Sequence, residues 1–120
     1  MIHSILFLLL FLAEVESNCN DNAVGKHGEV GRYQIRQCYL DDVNRIKKWN
    51  YTLDEMHNAE KARNVVIAYL EYYGENYRKE NGKNPTIEVL ARIHNGGPYG
   101  YRKNCTIVYW NKIKKAMEKK

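Results

Sequence analysis

Apolar positions are densest at the start of the chain, where Ile5-Leu6-Phe7-Leu8-Leu9-Leu10-Phe11-Leu12 is unbroken and Ala13-Glu14-Val15-Glu16-Ser17 follows. The pattern predicts a first helix that places Glu16 on its last turn. The run is too short to span a bilayer, which excludes a stable membrane span. It has the length and apolarity of a signal-peptide core, yet no Lys or Arg precedes it. A small-residue cleavage site at Val15 and Ser17 would also remove Glu16. The run is therefore either an export signal or the buried first half of the helix that presents Glu16, and its weak flanks favour the buried helix. A start lying further upstream would reconcile the two readings.

Polar turn chemistry comes next. Asn18-Cys19-Asn20-Asp21-Asn22 reads as a loop, and Gly25, Gly28 and Gly31 mark backbone that bends or approaches a neighbour closely. Gly31-Arg32-Tyr33-Gln34-Ile35 fits a short strand or the beginning of a helix running through Cys38 and Leu40. The three-residue spacing of Val43, Ile46 and Trp49 predicts a helix with one buried face. Thr52-Leu53-Asp54-Glu55 has the form of a capping box. The helix it opens is predicted to reach about Glu80, with Met56, Ala59, Ala62, Val66, Tyr69, Tyr73 and Tyr77 on one side and Asn81-Gly82 as its stop. Asn84-Pro85 predicts a further helix with Pro at its first position, burying Ile87, Leu90, Ala91 and His94. After the break at Asn95-Gly96-Gly97-Pro98-Tyr99-Gly100, Thr106 is expected to cap a last helix with Trp110, Ile113 and Met117 as its apolar stripe.

These elements predict a mainly α fold: a small single domain, with a loop-rich cleft after the first helix. The length of 120 residues suits one domain, and 44% apolar residues with ten Tyr exclude a disordered chain. A net charge of +5 suits an anionic partner. Lys112, Lys114, Lys115, Lys119 and Lys120 on the last helix read as a solvated face. The aromatics are not interleaved with basic residues in a groove motif, so nucleic acid is not the expected partner. Cys19, Cys38 and Cys105 allow at most one internal disulfide. With no C-x-x-C or Cys/His cluster, no metal site is expected.

Glu16 is the first catalytic candidate. A carboxyl with an apolar helix behind it and a polar loop in front can have its pKa raised by desolvation, as a general acid near neutral pH requires.

Two separated motifs then combine. Glu16-Ser17 followed by Gly31-Arg32-Tyr33-Gln34-Ile35 resembles the Glu-Ser…Gly-x-x-Gln-Ile signature of the lysozyme and lytic-transglycosylase superfamily. Ala91-Arg92-Ile93-His94-Asn95-Gly96-Gly97-Pro98, with Tyr109-Trp110-Asn111-Lys112 after it, resembles a block of the invertebrate-type, or destabilase-like, lysozymes. Val15-Glu16-Ser17-Asn18-Cys19 is similar to that family's Val-Glu-Ser-Gly-Cys. The resemblance runs from Ala13 to Met117.

It implies a lysozyme-like fold and hydrolysis of the β-1,4 bond between N-acetylmuramic acid and N-acetylglucosamine in bacterial peptidoglycan, in an antibacterial or digestive role. Glu16 would be the general acid, Tyr33 and Gln34 cleft positions behind it, and His94, Asn95 and Gly96 a facing segment that contacts sugar. The resemblance also implies an Asp several residues before Gly-x-x-Gln-Ile, where this chain has Val24, Gly25 and Lys26. Glu29 is the nearest carboxylate and the candidate partner of Glu16, with Asp21 further back. A site served by Glu16 alone would act as a lytic transglycosylase, and one without catalytic competence as a peptidoglycan-binding homologue. No metal or organic cofactor is required, and a secreted monomer is expected. Some family members are credited with isopeptidase activity, but no motif pairs Ser17 with His94 for it.

Overall fold

The computed structural model describes residues 1–119; Lys120, grouped above with the lysines of the last helix, lies outside the described residues. The fold is mainly α. Its five α-helices are α1 (Ile2–Ser17), α2 (Gln37–Lys47), α3 (Ala59–Asn81), α4 (Ile87–Gly96) and α5 (Cys105–Glu118), with short 3₁₀ turns at Leu53–His57 and Gly100–Arg102. No helix among the described residues is long and apolar enough to cross a membrane. The chain forms two compact units: Ala13–Tyr69, and Met1–Leu12 together with the chain from Leu70 onward.

In the unit Ala13–Tyr69 the core is built from Ile35, Leu40, Val43, Met56, Ala62, Val65 and Val66, all but excluded from solvent. The predicted stripe of α2 stops short. Lys48 takes a left-handed conformation (φ 58°), which ends the helix before Trp49, and Trp49 is 36% exposed. Asn44 explains the turn: its side chain donates to the Tyr51 carbonyl (2.9 Å) and accepts from the Tyr51 amide (3.2 Å), drawing the chain back on itself.

The helix predicted from Thr52 to about Glu80 is two elements. Glu55 reaches back to the Thr52 amide (2.9 Å), as a capping box should, but the turn it starts is a 3₁₀ segment that closes at His57. Asn58 is extended (φ −80°, ψ 120°), and its Oδ1 accepts from the Lys61 amide (3.0 Å), so it caps α3 afresh. An Asn side chain that can satisfy a free helix amide competes with continuation of the preceding helix.

In the other unit Ile5, Leu8 and Leu12 of α1 are fully buried, as are Leu70, Leu90, Ala91, Ile93 and Ile113. Gly74 on α3 allows close packing: a Cβ there would lie 2.8 Å from Met1 Sδ, 3.3 Å from Leu90 Cδ2 and 3.5 Å from Pro85 Cγ. Pro85 does not occupy the first helical position of α4. Thr86 caps that helix, its hydroxyl accepting from the Val89 amide (3.2 Å), and Pro85 precedes the cap and packs beside Leu90 around Gly74. A capping hydroxyl satisfies an otherwise orphaned N–H, which Pro cannot do.

Thr106 also departs from its expected role. Asn104 precedes the first residue of α5, and Thr106 lies within the helix with no exposure. Its hydroxyl donates to the Gly100 carbonyl (2.7 Å) and accepts from Arg92 Nε (2.8 Å). The buried face of α5 is Thr106, Tyr109, Ile113 and Ala116, one step round from the predicted stripe, with Trp110 and Met117 half-buried.

Candidate active site

Glu16 stands on the last turn of α1. The helix closes just after it with two nested backbone bonds: the Cys19 amide reaches the Ala13 carbonyl (3.0 Å) and the Asn18 amide reaches the Glu14 carbonyl (2.8 Å). Asn18 and Cys19 are both left-handed, at φ 55° and 60°. Asn tolerates this conformation better than most residues, so it can stand where the family resemblance has Gly.

The Glu-Ser pair is tied physically to the second half of its motif. Ser17 Oγ donates to the Arg32 carbonyl (2.9 Å) and accepts from the Asn20 amide (3.0 Å). This fixes the end of the acid-bearing helix to the segment that carries Gln34, and commits the Ser17 hydroxyl to a structural role.

Gly31 to Gln34 is a tight turn rather than a strand or a helix start. Val30 and Ile35 exchange both backbone hydrogen bonds across it, each 3.0 Å. Gln34 sits at φ 52° and is held there by its own side chain, whose Nε2 donates to the Gly31 carbonyl (2.9 Å). Gly31 is required twice over: its φ is 82°, and a Cβ would fall 2.0 Å from the Met56 carbonyl oxygen.

Glu29 and Gln34 converge on Gly25. A Cβ on that glycine would lie 2.5 Å from Gln34 Oε1 and 2.8 Å from Glu29 Oε1. Glu29 Oε1 accepts from the His27 amide (2.7 Å). Hydrogen bonds from the backbone amides of Glu29 and His27 hold this carboxyl below its ordinary pKa, against the opposing effect of burial, with Arg36 and His27 adding favourable charge. Glu29 is thus kept ionised.

Asp21, the more distant candidate carboxylate, is committed elsewhere. It accepts from Arg32 Nε (2.7 Å) and Nη2 (3.2 Å), and the Arg32 guanidinium lowers its pKa. Its backbone carbonyl lies 2.8 Å from His57 Nδ1; since a carbonyl only accepts, that nitrogen carries the proton.

Tyr33 is 5% exposed, and burial pushes its phenol pKa up. The motif reading did not find Tyr39. Its ring stacks on Tyr69 at 3.7 Å and 12°, and its pKa is well above the ordinary value, through burial first and then the proximity of Tyr69 and Glu16. Tyr39 is therefore a neutral phenol within electrostatic range of the Glu16 carboxyl. The spacing Tyr39-Leu40…Val43, one buried face of α2, was the available signal.

The remaining predicted residues belong to the other unit, at the end of α4. His94 is 7% exposed, Asn95 is exposed and Gly96 is half-buried. Gly96 packs against Thr106, whose Cγ2 would lie 2.4 Å from an added Cβ, and its carbonyl accepts from Lys103 Nζ (2.7 Å). Glu16, Glu29, Tyr33 and Gln34 therefore share one unit, and His94, Asn95 and Gly96 share the other. Cys19, Cys38 and Cys105 are all free and exposed.

Comparison with known proteins gives the class first. Residues 8–116 match the Destabilase family. The chain belongs to that family of invertebrate-type lysozymes. A lysozyme of Ostrea edulis is 35% identical over 91 residues, covering 75% of this chain and 61% of the oyster protein. Invertebrate-type lysozyme 6 of Caenorhabditis elegans is 33% identical over 108 residues, covering 80% of this chain and 71% of the nematode protein. The chain thus spans somewhat under two thirds of the oyster lysozyme's length. The fold is similar to a chain in the crystal structure of Aeromonas hydrophila PliI in complex with Meretrix lusoria lysozyme, with a TM-score of 0.74, 29% identity, and coverage of 90% of this chain and 86% of that one.

Proposed function

We propose that this protein is a muramidase that hydrolyses the β-1,4 bond between N-acetylmuramic acid and N-acetylglucosamine in bacterial peptidoglycan, acting outside the cell. The observation that carries this reading is the hydrogen bond from Ser17 to Arg32, which joins the helix end bearing Glu16 to the turn bearing Gln34. Glycoside cleavage needs one protonated carboxyl at the leaving oxygen and a second, ionised group at the oxocarbenium-like carbon. Glu16 is assigned the first role. Glu29 suits the second because backbone amides stabilise its charged form. Water completes the reaction. The net charge of +5 favours anionic cell wall, and this attraction weakens with salt.

A second reading follows from the way Glu29 is held. The His27 amide binds Glu29 Oε1 within the carboxylate's own loop. If this loop keeps the Glu29 carboxylate out of reach of the bound sugar, Glu16 works alone and the product is the anhydro sugar of a lytic transglycosylase. Clearing of a Gram-positive wall suspension by wild type and Glu16→Gln tests the main reading. Activity lost in the variant supports it, equal clearing by both rejects Glu16, and no clearing by either favours a peptidoglycan-binding homologue. Anhydromuramyl ends among the products separate the transglycosylase from the hydrolase.

A further inference from the structure

The unit containing the chain from Leu70 onward holds a pocket of about 90 Å³ whose lining does not include Glu16. Tyr73, Asn76, Tyr77 and Glu80 enter it from α3, and Tyr99 and Tyr101 from the connection between α4 and α5. The spacing of Tyr73, Tyr77 and Glu80 places them on one helix face. The opposite wall is anchored. A Cβ on Gly100 would lie 2.0 Å from the Arg92 carbonyl oxygen, and the Gly100 carbonyl accepts from the Thr106 hydroxyl (2.7 Å). The two residues flanking Gly100 are therefore held in place before any ligand arrives, which lowers the ordering cost of binding.

The rings make a frame. Tyr77 meets Tyr101 edge-to-face at 4.8 Å and 88°, and Tyr101 lies 6.1 Å from Tyr99. An aromatic frame with a carboxylate could hold a cation, but here that position is filled from within. The Arg102 guanidinium lies 4.8 Å from the Tyr99 ring and 5.4 Å from Tyr101, and 3.7 Å from Glu80. Glu80 also accepts from the Tyr99 hydroxyl (2.8 Å). With its charges compensated, the pocket gains little from either a cation or an anion. It still offers hydrogen bonding: the Asn76 side-chain amide bonds to no described group, and the enclosed Tyr101 hydroxyl has no partner among the described residues. Aromatic surface combined with uncommitted neutral polar groups suits a ligand with C–H faces and hydroxyl or amide edges.

We propose that this pocket is the floor of a second, non-catalytic saccharide site, against whose tyrosines one neutral N-acetylglucosamine ring of peptidoglycan stacks, anchoring the protein to the insoluble polymer. The choice of sugar rests on the muramidase reading; the pocket's preference for a neutral ligand does not.

The test uses the full chain carrying Glu16→Gln, to prevent turnover, titrated with a trimer of N-acetylglucosamine and followed by NMR. The expected result is saturable shifts of the Asn76 side-chain amide and the Tyr99 ring. Tyr99→Ala and Asn76→Ala should each weaken retention on insoluble peptidoglycan, Tyr99→Ala by roughly tenfold, whereas Tyr99→Phe, which keeps the ring, should retain it. In the background with Glu16 intact, Tyr99→Ala should slow clearing of whole walls and leave cleavage of a soluble oligosaccharide unchanged. If the muramidase reading fails, neither background clears walls, but the NMR and retention results still report on this pocket. Shifts confined to Ala13–Tyr69, unchanged retention by both alanine variants, or a response to tetramethylammonium with none to the sugar would overturn the proposal.

Discussion

In Ala13–Tyr69, four non-glycine residues adopt left-handed backbone: Asn18, Cys19, Gln34 and Lys48. In the other unit, among the described residues, only Gly82 and Gly97 have positive φ, and glycine adopts it without steric cost. Strain is thus confined to the unit with the candidate acid, and three of its four sites lie between the end of α1 and the start of α2. The surroundings hold each one: a helix closure at Asn18 and Cys19, a side-chain hydrogen bond at Gln34. Such strain persists only where the structure over-determines it, and it is often found where side chains must be aimed. The other unit relies on regular helices, a threonine cap and close packing at Gly74 and Gly100.

This contrast can be broken most sharply at Glu16. Glu16→Gln should lower wall-clearing activity by at least about 10²-fold, the usual scale for loss of a general acid, while the far-UV circular dichroism stays that of the wild type. Next come the glycines. Gly31→Ala adds a clash with the Met56 carbonyl to a left-handed penalty and should cost about 3 kcal/mol or more. Gly82→Ala, at φ 72° with nothing within 4 Å, carries only the backbone penalty of about 1 kcal/mol. Urea unfolding of the two variants measures the difference, and equal losses would deny that the Gly31 turn is the more constrained.

A smaller effect separates the units by pH. Arg32 lowers the Asp21 pKa below 3.8, so this ion pair stabilises the fold at pH values above the unfolded value and loses that contribution as pH falls through the folded one. Asp21→Asn should therefore lower the Tm near neutral pH and have little effect well below pH 3.8. With the Asp21 side chain 41% exposed, the cost is under about 1 kcal/mol. A Tm gap that stayed constant with pH would assign the loss to packing instead. The smallest change expected is at Asn18, where Asn18→Gly relieves left-handed strain and should leave stability equal or raise it by a few tenths of a kcal/mol, whereas Asn18→Val should lower it.

The sequence made the helices legible more readily than their limits. Apolar spacing located α1, α2, α4 and α5, but Lys48, Asn58 and Thr86 set boundaries that the pattern placed elsewhere. At each, a left-handed residue or a capping side chain outweighed periodicity. The motifs marked Glu16 and Gln34, and their spacing is now explained by Ser17 bonding to Arg32. They did not mark Tyr39, because its closeness to Glu16 joins α1 to α2 and neither element alone carries that information. Of the tyrosines of α3, Tyr69 and Tyr77 are buried, and Tyr77 also lines the pocket together with Tyr73.

The family, the helical class and the place of Glu16 at the end of the first helix are all determined by order and spacing along the chain, because capping, periodicity and turn preference act within four or five residues. The tertiary structure alone decided that Glu29 and Gln34 meet over Gly25, that Thr106 is a buried link between α4 and α5, and that Tyr73 and Tyr77 share a pocket with Tyr99 and Tyr101. Those arrangements depend on where distant backbone segments come to rest, and that is set by the packing of whole elements.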